Sequence, residues 1–190
     1  METIKTRNKV SVIALCTVAL AICINVVGGQ IALLLHLPIY LDSIGTFFVG
    51  AVLGPLYGML PNVLSGIIMG FTGDVYSLYY APVGIILGLM TGLVFKKRVN
   101  KIWWIFLAAL LVTIPSTIVS SSITAILFGG ITSSGSTVLV QFLTNTTHLG
   151  LTASCFVVQF ITDYADRVIS LFLVTRLIHV LPDSIMEKFR

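Results

Sequence analysis

Residues 96–104, Lys-Lys-Arg-Val-Asn-Lys-Ile-Trp-Trp, set four cations and two indoles between two long apolar stretches of a 190-residue chain. A dense Lys/Arg cluster flanking an apolar segment marks the cytoplasmic side of a membrane, and indoles favour the headgroup level. Outward in both directions the pattern repeats, with Lys5, Arg7 and Lys9 before the first apolar run and Arg176, Lys188 and Arg190 at the other end. These positions hold ten of the eleven lysines and arginines, and only Arg167 stands apart. Both termini and the central loop are therefore expected on the cytoplasmic side, with an even number of crossings between successive clusters.

Composition agrees with this reading. The chain is 57% hydrophobic and 9% charged, with a mean hydropathy of +1.06, whereas a soluble surface needs roughly a quarter charged residues. An integral membrane protein is expected, in a single transmembrane domain over residues 1–190. The net charge of +4 belongs to loops near anionic lipid and gives no reason to invoke nucleic acid. Cys16, Cys23 and Cys155 lie in apolar sequence without a C-x-x-C pair, and His36, His148 and His179 are too scattered for a metal-ligand pattern. No metal and no cofactor are called for. The run from Val10 to Val27 is longer than a signal-peptide core and lacks an A-x-A site, so it reads as a retained first helix.

Six apolar helices fit the charge count. After the first, Gly28-Gly29-Gln30 breaks the pattern and residues 31–42 form an outer loop or interfacial helix. Residues 43–57 and 59–72, punctuated by Gly54-Pro55 and Pro61, make a short hairpin, because ~15 residues span only about 22 Å of a ~30 Å hydrocarbon core. The fourth helix covers residues 79–95, the fifth runs from Trp103 to Phe128, and the sixth from Leu151 to Leu181, with a Gly/Ser/Thr-rich outer segment over 129–150. The expected fold is an all-α six-helix membrane bundle with both termini cytoplasmic. Asn145-Thr146-Thr147 matches a glycosylation sequon, a tripeptide that arises often by chance and decides nothing.

Polar residues inside this apolar frame nominate a site. Gln159, Asp163 and Arg167 are spaced four apart on one helix face, Asp163 precedes Arg167 in the stabilising order, and Asp166 adds a second carboxylate. A central intramembrane arginine costs about 2.5–3.5 kcal/mol on insertion scales, so a functional role is weighed beside a buried structural ion pair. At the helical rise Arg167 lies about 10 Å below the outer edge of the hydrocarbon. Facing it from outer loops are Asp42, Asp74, Tyr76, Tyr79, Tyr80, Asn145 and His148. Interfacial tyrosines serve as anchors, yet three of them beside a carboxylate also suit a planar hydrogen-bonding ring. Thr113, Thr117 and Ser121, with Ser116, Ser120 and Ser122, either satisfy carbonyls freed by Pro115 or line a polar pocket. Glycines at 50, 54 and 58, at 66 and 70, and at 84, 88 and 92 fit tight packing within the chain, or one ladder facing another membrane subunit.

Residues 37–70, LPIYLDSIGTFFVGAVLGPLYGMLPNVLSGIIMG, a glycine-rich fourth helix ending in KKR, and the closing DRVISLFLVTRLIHVLP resemble the substrate-binding S components of energy-coupling factor (ECF) transporters. The resemblance covers most of the chain. It implies capture of a water-soluble vitamin or similar small molecule at the outer face of a bacterial plasma membrane. It further implies docking on a transmembrane scaffold protein bound to two cytoplasmic ATPases, and toppling of the loaded subunit in the bilayer. On this chain the implied lid is Gln30 to Asp42, and the implied docking surface holds Ala14, Thr17, Val18 and Ala21. Val18, four residues after Ala14, departs from the family's Ala-xxx-Ala docking pattern.

An enzyme is not expected, since the chain lacks H-E-x-x-H, G-x-S-x-G and a P-loop. The alternatives are an autonomous ion-coupled transporter using Asp163 and Arg167, and a sensor or assembly subunit without cargo. No internal repeat favours the first alternative.

Overall fold

A computed structural model of the protein describes residues 12–95, 102–147 and 149–181. Among them it is all-helical, with α1 (Val12–Leu34), α2 (Ile44–Leu53), α3 (Pro55–Thr72), α4 (Tyr76–Tyr79), α5 (Ala81–Phe95), α6 (Ile102–Phe128), α7 (Ser136–Thr146) and α8 (Leu151–Val180). The cations at 5, 7, 9, 96, 97, 98, 101, 188 and 190, and His148, lie outside the described residues.

The six helices read from sequence are present, with shifted boundaries and two short additions. The first does not stop at Gly28-Gly29-Gln30 but continues to Leu34. Two glycines cost a helix about 1 kcal/mol each, and tertiary packing overrides that cost. A Cβ on Gly28 would fall on the Leu41 carbonyl, and one on Gly29 would strike the Met69 side chain. The connecting loop is consequently 35–43, shorter than the expected lid. The hairpin breaks at Gly54 alone, where φ +90° and ψ −179° form a conformation essentially restricted to glycine. Pro55 starts α3, and Gly58 and Pro61 lie within it. Tyr76–Tyr79 form a separate turn of helix before α5, and the Gly/Ser/Thr-rich segment over 129–150 contains α7.

Glycines set the closest packing. α3 and α5 run antiparallel, with Pro55 against Gly92, Gly58 against Gly88 and Asn62 against Gly84, and Gly50 of α2 also meets Gly58. Gly50, Gly58, Gly84, Gly88 and Gly92 thus serve contacts within the chain. The nominated docking positions do so too: Ala14, Val18 and Ala21 are buried, Val18 and Ala21 pack with Val49 of α2, and a Cβ on Gly45 would strike the Ala21 backbone. Thr17, the fourth nominated position, is half-buried with its hydroxyl on the Ile13 carbonyl, and α2 takes up the part of this face that Val18 and Ala21 occupy.

Polarity is inverted relative to a soluble bundle. Leu15, Leu20 and Ile24 of α1, Leu111 and Ile118 of α6, and Ile161, Ile169 and Leu173 of α8 are exposed. Thr113, Ser116, Thr117, Ser120 and Thr124 of α6 and Gln159, Asp163, Asp166, Arg167 and Ser170 of α8 are buried. Two helices, α1 and α6, are long and apolar enough to cross a membrane. Below the polar residues, Phe47, Leu87, Ile105, Ala108, Val112, Leu171 and Val174 form an apolar core between α2, α5, α6 and α8.

Gly88→Ala would put a Cβ into the Gly58 backbone, and is expected to destabilise by about 1–3 kcal/mol, as overpacking does. Gly150→Ala, with open space around its Cβ, is expected to change stability by less than about 0.5 kcal/mol. Thermal unfolding of the two variants in detergent checks the contrast.

Candidate functional site

α8 carries the longest polar stripe, and its four-residue spacing turns Gln159, Asp163 and Arg167 onto α6. There the two helices exchange a chain of hydrogen bonds. Thr117 Oγ1 donates to Asp163 Oδ2 at 2.8 Å, Ser120 Oγ donates to Gln159 Oε1 at 3.1 Å, and Gln159 Nε2 donates to Thr124 Oγ1 at 2.6 Å. The Tyr80 hydroxyl joins at Thr124 Oγ1, 2.6 Å away. Thr113 and Ser116 instead bond the carbonyls of Ala109 and Val112. None of these hydroxyls bonds the Leu111 carbonyl that Pro115 frees, and of the ladder Ser120 lines the cavity described below.

Asp163 Oδ1 pairs with Arg167 Nη1 at 3.3 Å, and Arg167 is 4% exposed. Its Nε has no hydrogen-bond partner among the described residues. Asp166, one position earlier, points to the loop after α1. Its Oδ1 accepts from the Leu41 N–H at 3.0 Å and its Oδ2 from Ser43 Oγ at 3.2 Å. Ser43 therefore does not cap its own helix with its side chain. That role passes to Asn25 of α1, whose Oδ1 accepts from the Gly45 N–H at 2.8 Å while its Nδ2 donates to Thr46 at 2.9 Å. The loop between is tightly turned, with His36 and Leu41 at φ 48° and 52°.

Loop 35–43 roofs a cavity of about 90 Å³ between α1, α3, α4, α5, α6 and α8. Pockets for drug-sized ligands run to about 300–1,000 Å³, so with the loop in this position only a compact ligand fits. Of the nominated residues, Asp42, Asp74, Tyr76, Tyr80, Gln159, Asp163 and Arg167 line it. Tyr79 does not: it is 50% exposed and packs edge-on against Phe128. Asn145 is exposed on α7, away from the cavity.

Several lining residues were not nominated. Asp166, noted as a second carboxylate, both holds the loop and lines the cavity, as do Tyr40, Ser43 and Asn62. Asn62 Nδ2 donates to the Asp42 carbonyl at 3.2 Å, tying α3 to the same loop. Asn25 and Asn62 carried a legible signal, since each is an amide inside an otherwise apolar helix. Tyr40 carried none beyond its place in the loop. No group of His, Cys, Asp and Glu suited to a metal ion occurs among the described residues.

Burial first, then the Asp166 carboxylate, push the Asp42 carboxyl up to about 7, with Arg167 pulling the other way. Asp163, Asp166 and Arg167 of α8 are the charged groups acting on it, and Asp74 lines the same cavity. Burial likewise raises the Tyr40 hydroxyl, which faces Ser134 and Ser136 and stays a neutral donor.

Because the folded value of Asp42 exceeds the unfolded one of 3.8, the folded state binds more protons between the two. Its contribution to stability is full below about pH 4 and falls as pH rises to about 7. Asp42→Asn is expected to flatten that part of the stability profile measured by unfolding in detergent. Arg167→Ala leaves Asp163 buried and uncompensated, and is expected to cost about 3–5 kcal/mol, whereas Asp163→Asn combined with Arg167→Met costs less. Arg167 thus serves the fold as well as the cavity, and a double-mutant cycle on unfolding midpoints measures the first role.

No protein-family model, no curated protein and no solved structure matches the chain.

Proposed function

We propose that the chain is a multi-pass membrane subunit that captures a small water-soluble molecule at the outer face of a cell membrane for uptake. α1, α2, α3, α5, α6 and α8 are the six membrane helices, α4 and α7 lie at the outer end, and both termini are cytoplasmic. The single observation that carries this reading is the inverted polarity: an apolar exterior around one buried polar cavity, roofed by a loop. Burying this many polar groups in an apolar surround costs free energy unless each is paired. A purely structural bundle has no use for that expense, whereas a solute site does.

The ECF-type assignment rests on the sequence resemblance. In that assignment the chain is the specificity subunit, loop 35–43 is the lid, and transport is powered by a scaffold protein with two ATPases. The absence of a P-loop from the sequence fits a subunit that borrows its energy. With Ala14, Val18 and Ala21 buried, the scaffold would meet the exposed apolar faces of the first three membrane helices, such as Leu15 and Leu20 of α1 and Leu56 and Leu60 of α3.

Reconstitution into liposomes with an ECF scaffold and its ATPases tests the reading. Solute uptake is expected to require ATP and to persist when proton and sodium gradients are collapsed. Gradient-driven uptake by the chain alone would instead make it an autonomous transporter, with Asp163 and Arg167 as its relay.

A further inference from the structure

All four carboxylates among the described residues, Asp42, Asp74, Asp163 and Asp166, line the one cavity, together with a single guanidinium. Their situations differ. Asp163 is paired with Arg167 and accepts from Thr117. Asp166 is engaged by the Leu41 N–H and the Ser43 hydroxyl at the positive N-terminal end of α2. Asp42 and Asp74 have no cation within ion-pair distance among the described residues. Asp74 is 8% exposed. Its Oδ2 accepts from Ser77 Oγ, and its Oδ1 is buried without a partner among the described residues. A buried carboxylate without a countercharge is costly, and a cation supplied from outside the chain reduces that cost.

We propose that the occupant of this cavity is a compact organic cation. Its charged nitrogen is held by the carboxylates of Asp42 and Asp74, which arrive from two different loops, with the rings of Tyr76 and Tyr80 beside it. The rings are fixed before any ligand arrives. Tyr76 packs edge-on against Phe128 at 4.8 Å between centroids, and the Tyr80 hydroxyl is held at Thr124. A cation near a tyrosine face gains from the ring quadrupole as well as from the carboxylates. An anion would add to a wall in which carboxylates already outnumber the guanidinium, and a neutral solute would leave Asp74 without a countercharge.

The inference rests on the capture reading above and adds the charge of the solute. Its test uses the purified full chain in detergent and three probes of one size: butylamine, butanol and butyrate. Binding is followed by the shift in unfolding temperature and by calorimetry. Butylamine is expected to bind and stabilise, and the other two are not. Asp74→Asn and Asp42→Asn are each expected to weaken butylamine at least 10-fold. Asp42→Asn, on the loop, keeps the test decisive where Asp74→Asn impairs folding. Preference for butyrate or butanol, no binding of butylamine, or unchanged butylamine affinity in the variants overturns the proposal. ATP-driven uptake of an anionic or neutral solute by the complete complex would overturn it too, while leaving the capture reading in place.

Discussion

The Asp166 carboxylate joins the lining of the cavity to its roof. From α8 it takes the Leu41 N–H and the Ser43 hydroxyl, so one side chain fixes both the end of loop 35–43 and the start of α2. Leu41 holds a positive φ, a conformation that costs a branched residue about 1–3 kcal/mol. The hydrogen bond to Asp166 and the seat of its carbonyl on Gly28 offset that cost. Remove the carboxylate and Leu41 has little reason to stay strained. The loop would then relax, Asp42 would lose its position, and the cavity would open.

The same logic runs through the rest of the polar interior. Asn25 caps α2 from a neighbouring helix, Asn62 ties α3 to the loop backbone, and Gln159 links Ser120 to Thr124. In a low-dielectric surround each bond is stronger than in water and each omission is more expensive. Against that background the unpartnered atoms stand out. Of the six among the described residues, Asp74 Oδ1 and Arg167 Nε belong to residues of the cavity wall. Glycine completes the arrangement at the other end, because Gly50, Gly58 and Gly88 bring three helices into backbone contact.

Much of this was legible in the residues. The apolar runs gave six helical segments, and the four-residue spacing of Gln159, Asp163 and Arg167 gave a polar face on the last helix. Asp42, Asp74, Tyr76 and Tyr80 were read as facing one pocket, and they line one cavity. Tyr79 and Asn145 were nominated by the same reasoning and turn away. The side on which a residue faces in a short helix depends on what packs against it, here Phe128 for Tyr79. The first helix was ended too early, since its glycine pair looks like punctuation until Leu41 and Met69 are seen resting on it.

By itself, then, the sequence determined the helical class, the inverted polarity and the stripe carrying Asp163 and Arg167, because hydropathy and 3.6-residue periodicity are local properties. It also supplied every carboxylate of the cavity. Only the tertiary structure decided that Asp166 latches the loop, that Asn25 caps a helix other than its own, that Ala14, Val18 and Ala21 face inward, and that Asp74 keeps one oxygen bare. Those are facts about partners distant in the chain, with Leu41 and Asp166 125 residues apart. Such pairings are fixed by how helices dock, which no local pattern encodes.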